Sequence, residues 1–143
     1  MSWLYKNRPF TSQMIQSYVG FVYLIECIGT GRKYIGKKNF WAKHTKPPLK
    51  GKVRKRRSLK ESDWQKYWGS NDEVKLDILR HGADQFTRTI LHLCGTKGMM
   101  SYLEMKEQIT RDVLLKPNEY YNSFVGGKIH RIHVRRTKQR VRL

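Results

Sequence analysis

The chain has 143 residues, with 30 Lys and Arg against 11 Asp and Glu, giving a formal charge of +19. That length suits one domain, and a 38% hydrophobic fraction supplies one modest core, which excludes a wholly disordered polycation. The longest apolar run, Phe21 to Ile25, falls far short of the ~18 residues that cross a membrane. The first ten residues lack a signal-type apolar segment, and Cys27 and Cys94 are too few for a disulfide framework or a four-ligand zinc site.

In chain order, a short helix is expected around Ser12–Tyr18, after Pro9. Gly20–Cys27 is rich in β-branched and aromatic residues and reads as a strand. Ile28–Arg32 carries two glycines and reads as a turn, so Lys33–Lys37 completes a hairpin. Residues 42–60 hold Pro47, Pro48 and Gly51 amid charge and are expected to form a basic loop insertion. Ser62 or Asp63 can cap a helix through Trp68, which Gly69 ends. Asn71 or Asp72 starts another, with Val74, Ile78 and Leu79 on one side and Gly82 as its stop. Gln85–Cys94 reads as a third strand, with Phe86, Ile90 and Cys94 on one face and Leu91 and Leu93 on the other. Residues 97–115 form the longest helical pattern, capped by Thr96, with Tyr102, Met105, Ile109 and Val113 as its apolar stripe. This order predicts an α/β fold of the α+β type, a small and mainly antiparallel three-stranded sheet flanked by helices. It forms a single domain over 1–127, followed by a basic tail, 128–143.

The charge is concentrated. Residues 43–60 hold nine Lys/Arg and no acid, and residues 128–143 hold seven and no acid. Phosphate backbones reward such clustering through counterion release, and neither segment has a clean apolar face for a membrane. A nucleic acid is therefore the expected partner, and charge alone does not separate a nuclease from a ribosomal or packaging protein. His44, Arg54, Arg56, Arg131, Arg135 and Arg136 are the candidate backbone contacts in the two segments. The tail reads as a DNA arm; the competing reading makes it a final strand packed by Ile129, Ile132 and Val134.

One pattern carries chemistry. Phe21-Val22-Tyr23 lies on the first strand of the hairpin, and Tyr34-Ile35-Gly36 on the second, with Tyr34 eleven positions after Tyr23. Together with the later His81-Gly82 turn, third strand, glutamate-bearing helix and asparagine, this resembles the GIY-YIG nuclease superfamily over roughly residues 20–125. Phe21 and Val22 stand where the family has glycine and isoleucine; Tyr34-Ile35-Gly36 is intact.

The resemblance implies a DNA endonuclease of phage type, acting in the cytoplasm of a host cell. It also implies one divalent ion, Mg²⁺ or Mn²⁺, held by a single helical glutamate. Glu104, at the edge of the apolar stripe, is the expected ligand; Glu107 beside Lys106 is the rival, and Glu119 lies too far along. Tyr23 is the candidate base or water-orienting group, with Tyr34 beside it orienting water or phosphate. The family arginine that binds the scissile phosphate has no counterpart at the usual place, where His44 stands; Arg57 is preferred over Arg56 and Arg54 because it borders the next helix. Lys37 and Lys38 can contact phosphate, and Asn122 matches the family's late asparagine. One active site cuts one strand, so double-strand cleavage needs a homodimer, two molecules in succession, or reorientation. The alternative is a non-catalytic basic nucleic-acid-binding protein, ribosome-associated or DNA-packaging, which explains the charge but not the tyrosine–glutamate layout.

Overall fold

The structure, a computed structural model, describes residues 2–132. Its centre is a five-stranded sheet rather than three: β1 (Leu4–Tyr5), β2 (Arg8–Pro9), β3 (Gly20–Cys27), β4 (Lys33–Asn39) and β7 (Phe86–Cys94), in the order β2-β1-β7-β3-β4. β1 runs parallel to β7 and every other pairing is antiparallel, so the sheet is mixed. The two additional strands are two residues each, too short to show an alternation. Their turn is made by Lys6 and Asn7, both at positive φ, the backbone of a tight hairpin.

The expected 42–60 loop is instead a second, two-stranded sheet: β5 (Trp41–Lys46) pairs antiparallel with β6 (Arg56–Glu61). No residue of either strand is buried, so neither carries the alternation that marks a half-buried strand.

The helices are α1 (Asp72–His81) and α2 (Lys97–Thr110). Both caps match expectation. Asn71 Oδ1 accepts from the Val74 amide at 3.1 Å, and Thr96 Oγ1 from the Met99 amide at 3.1 Å. α2 is shorter than expected because Asp112 turns left-handed, and Val113–Leu115 continues only as a 3-10 turn. The Ser12–Tyr18 helix reduces to a 3-10 turn over Ser12–Met14. The helix expected to end at Trp68 reduces to Trp64–Lys66, because its carbonyls are taken by side chains. Trp3 Nε1 donates to the Trp64 carbonyl at 2.7 Å, and Arg88 donates to those of Gln65 (3.1 Å) and Tyr67 (2.8 Å).

The sheet has a core on each face. One is aromatic and includes Trp3, Phe10, Phe21, Tyr23, Phe40, Trp64 and Phe86; the other, under α2, includes Val22, Ile35, Cys94, Met99, Met100 and Leu103. Three face assignments differ from expectation. The β3–β7 register shifts between Val22 and Tyr23, so Leu91 has no partner there. Beyond this bulge the alternation inverts. Cys94 joins the α2 side, opposite Phe86 and Ile90, while Leu93 packs on the aromatic side and Leu91 under α2. On α2 the buried residues are Met99, Met100, Leu103 and Gln108, and Ile109 is 59% exposed, so the helix is rotated from the expected stripe. On α1, Val74 is buried and Leu79 exposed.

Candidate active site

β4 is an edge strand, which leaves outward-facing backbone groups to be satisfied. The segment around Tyr120 meets that need. The Lys33 amide donates to the Glu119 carbonyl and the Tyr121 amide to the Lys33 carbonyl, both at 2.8 Å. Asn122 then replaces backbone with side chain: its Oδ1 accepts from the Ile35 amide at 3.0 Å, and its Nδ2 donates to the Ile35 carbonyl at 2.8 Å. Gln108 Nε2 adds a second bond to that carbonyl at 3.1 Å. The buried amide of Asn122 therefore ties the chain after α2 to the strand that carries Tyr34-Ile35-Gly36.

Around this edge the two faces of the sheet come together in one cleft of about 230 Å³. Tyr34, Ser70 and Asn71 line it from the aromatic side, Glu104 and Gln108 from α2, with Asn122, Ser123, Phe124 and Gly126 around them. Of the residues singled out in the sequence, Tyr34, Glu104 and Asn122 meet here.

Tyr23 sits behind this cleft, 1% exposed. Antiparallel pairing places Tyr23 opposite Gly36 and Ile25 opposite Tyr34, so both tyrosines share one face, their rings 6.2 Å apart. Gly36 is required by this arrangement: a Cβ there would lie 2.4 Å from the Tyr23 hydroxyl. Gly69, at φ +85°, gives the turn that delivers Ser70 to the Tyr34 hydroxyl at 3.3 Å. Burial, reinforced by Tyr67 and Tyr34, holds the Tyr23 phenol well above its ordinary pKa. Tyr34 is also raised, by burial, although its bond with Ser70 pulls the other way. Both phenols stay protonated near neutral pH.

The two helical glutamates have different surroundings. Glu107 is bound by His92 at 2.8 Å and Arg111 at 2.9 Å. Burial raises its carboxyl, but those hydrogen bonds outweigh burial and leave it below the usual range. Glu104 is raised by burial and only partly relieved by the Lys37 charge. Among the described residues it makes no ion pair.

The predicted cations do not line the cleft, although Lys37 is near enough to act on Glu104. Lys37 Nζ donates to Ser101 Oγ at 2.7 Å on α2. Lys38 Nζ pairs with Asp63 at 2.7 Å and stands 4.2 Å over the Tyr67 ring. Arg57 and Arg54 line a separate pocket on the β5–β6 hairpin with Thr45 and Lys55, and His44 and Arg56 are on the same hairpin. Arg131 is exposed; Arg135 and Arg136 lie outside the described residues.

Sequence reasoning missed Tyr67, Ser70, Gln108 and Arg88. Gln108 was legible in principle, four residues after Glu104 on the same helix face. Arg88 had no signal. It is buried on a strand, its guanidinium between the rings of Trp3 (4.8 Å) and Trp68 (4.2 Å), and desolvation lowers its pKa to about 10. Its bonds to the Gln65 and Tyr67 carbonyls fix the loop that positions Tyr67 and Ser70.

No curated protein and no solved structure matches the chain. The family described as "Putative endonuclease segE, GIY-YIG domain" matches residues 3–125, almost the whole of the two-faced sheet, its helices and the hairpin. With that family's domain spanning most of the sequence, the chain belongs to the GIY-YIG nuclease superfamily.

Proposed function

We propose that the protein is a metal-dependent endonuclease that hydrolyses DNA phosphodiester bonds, a phage-type enzyme working in the cytoplasm of a host cell. The observation that carries this reading is Glu104. It is a half-buried carboxylate without an ion pair among the described residues, set in a cleft with a tyrosine hydroxyl, in a chain of charge +19. A carboxylate left unpaired in such surroundings is costly unless it meets a cation. Among the described residues no three His, Cys, Asp or Glu gather into a metal cage. One carboxylate completed by waters and substrate phosphate suits Mg²⁺ or Mn²⁺. Bound there, the ion supplies Lewis-acid stabilisation of the phosphate and leaving oxygens.

The protein's own residues do the rest. The Tyr34 hydroxyl, held by Ser70, faces the cleft and donates a hydrogen bond to the attacking water or the phosphate. Tyr23 acts through its neighbours, as a protonated phenol packed against Tyr34 and Tyr67, not as the base itself. Asn122 and Gln108 hold the Ile35 backbone so that Tyr34 and Glu104 keep their relation across the edge. Lys37, anchored on Ser101 and acting on Glu104, is the cation placed to meet the scissile phosphate, a role expected of Arg57. With one such cleft among the described residues, each molecule cuts one strand, and double-strand cleavage uses two copies.

The test is nicking of supercoiled plasmid DNA by the purified chain with Mg²⁺, its loss on adding EDTA, and its recovery with excess Mg²⁺. Cleavage that persists in EDTA overturns the metal assignment. Binding without cleavage under all divalent ions overturns the enzyme reading in favour of a non-catalytic DNA-binding protein.

A further inference from the structure

The β5–β6 hairpin contributes nothing to the cleft, yet it concentrates charge more than any other described element. It forms its own sheet, and among the described residues no other strand pairs with either edge. None of the twelve strand residues is buried, and all but the half-buried Ser58 are exposed. Val53 at the tip is 97% exposed. Because partners directly opposite share a face, the register divides the ribbon in two. Ala42 with Lys60, His44 with Ser58, and Lys46 with Arg56 lie on one face; Trp41 with Glu61, Lys43 with Leu59, and Thr45 with Arg57 lie on the other.

Such a ribbon is poorly stabilised on its own. Lys46 stands directly opposite Arg56, and like charges in that position repel. A two-stranded hairpin without a covering layer is marginal in water. The one acid of the two strands, Glu61, lies at the base and accepts from Ser12 (2.6 Å) and Trp64 (2.8 Å). The rest of the arm has no acid to offset its cations. A polyanion removes this repulsion.

We propose that the β5–β6 ribbon enters the major groove of duplex DNA, with the His44, Lys46, Arg56 and Ser58 face toward the base edges and Arg54, Lys55 and Arg57 on a backbone phosphate. The inference rests on the reading of the protein as a DNA nuclease and supplies that reading with a source of sequence preference. Two strands about 4.8 Å apart, with their side chains, fit a groove about 12 Å wide. The inward face is chemically able to read bases. An arginine forks onto guanine O6 and N7, while serine and histidine exchange hydrogen bonds with base edges. The small Ala42 and Ser58 let the backbone approach. At the tip, Thr45, Arg54, Lys55 and Arg57 line an open pocket of about 770 Å³ that contains no carboxylate. That composition suits a phosphate, whose contacts set register and orientation.

Geometry bounds the distance from the cut. β5 follows β4 after the single residue Phe40, and ten residues separate Gly36 from Lys46. At about 3.3 Å per residue the ribbon reaches at most about 33 Å from the cleft. This is about ten base pairs at 3.4 Å each. Bases read by the ribbon therefore fall within one helical turn of the scissile phosphate.

Guanine N7-methylation interference with the full-length chain, in EDTA so that binding is scored without cleavage, decides the matter. Methyl groups at N7 project into the major groove, so interference is expected at guanines within about ten base pairs of the cut site mapped separately with Mg²⁺. Arg56→Ala should abolish interference at one of these guanines and lower discrimination against a substituted base pair there by about tenfold or more. Arg54→Gln with Arg57→Gln should weaken binding to all duplexes alike and reduce the slope of log affinity against log salt by about 2. Duplex RNA, whose major groove is too deep and narrow, should not compete. Binding with no N7 interference, interference unchanged by Arg56→Ala, or equal competition by duplex RNA overturns the ribbon proposal and leaves the nuclease reading standing. N7 interference without Mg²⁺-dependent cleavage does the reverse. Each variant is checked for a wild-type melting temperature.

Discussion

At the edge of β4, the Ile35 backbone is held by Asn122 on both its amide and its carbonyl, and by Gln108 as well. Ten residues later, on the ribbon beyond its base at Glu61, the strands pair only with each other among the described residues, and Lys46 faces Arg56. The cleft is over-determined: buried rings, an excluded Cβ at Gly36 and amide clamps fix Tyr34 relative to Glu104. The ribbon is charged, exposed and separable from the core. The difference assigns the two regions different costs on mutation. Changes in the cleft should cost chemistry or folding, and changes on the ribbon should cost binding alone.

Glu104→Gln is expected to produce the largest effect, a loss of cleavage of at least about 100-fold in plasmid nicking. Stability should not fall with it. Burial raises the Glu104 pKa above its ordinary value, so the native state binds this proton more tightly and stability decreases as pH rises through that range. The neutral glutamine should therefore melt at the same temperature or higher. Wild-type cleavage by this variant would remove Glu104 from the site. By the same sign, the wild-type rate should decline as pH falls through a carboxyl pKa above the usual range.

The two tyrosines sharpen the contrast within the cleft. Tyr34→Phe removes the hydroxyl that lines it and should slow single-turnover cleavage by roughly 100-fold. Tyr23→Phe removes one buried behind it and should cost about tenfold, through loss of its hydrogen bond with Tyr67. The reverse order of rates would return Tyr23 to direct contact with the reacting atoms.

Gly36→Ala should destabilise the fold by roughly 1 to 3 kcal/mol, because the new methyl meets the Tyr23 hydroxyl and backbone or ring must shift. Denaturant unfolding measures it, and a wild-type midpoint would show that the register around Tyr23 is looser than described.

Glu107→Gln should leave cleavage within about twofold but lower stability by about 1 kcal/mol, by weakening the bond from His92 that joins α2 to β7 and the bond from Arg111 at the end of α2. Because its carboxyl pKa is depressed, this contribution is present above the ordinary carboxylate range and is lost as pH falls through the lowered value. The smallest effect belongs to the ribbon: Arg56→Ala should shift thermal stability by no more than about 0.5 kcal/mol, as for other exposed positions. A large loss would mean that the ribbon supports the core.

The central hairpin, both helix caps, the Gly82 stop and the tyrosine pair were legible because each rests on short-range chemistry: β-branched runs, side-chain oxygens at helix starts, glycine at a turn. Face assignments were less so. A single unpaired residue near Leu91 reverses the alternation along the rest of β7, and periodicity alone does not register it. The stripe expected on α2 failed for a similar reason. Tyr102, Met105 and Ile109 and the buried set Met99, Met100 and Leu103 are both apolar at helical spacing, and only the partner surface selects between them. The basic arm reads as a loop because its strands have no buried face.

The sequence by itself determined the charge and where it collects, the central β-hairpin with its two tyrosines, and an α+β chain with a glutamate on its longest helix. Tertiary structure decided which of those residues meet. Tyr34 and Glu104 belong to opposite faces of the sheet and come together only because β4 is an edge strand, around which a cleft can wrap. Arg88 acquires its role only between two tryptophans 85 and 20 positions away in sequence. Arg57 is carried out on the ribbon, away from the cleft, while Lys37 remains beside it. Spacing along a chain fixes distances within an element, but the order of strands in a sheet and the contacts across its edge depend on long-range packing that no local pattern encodes.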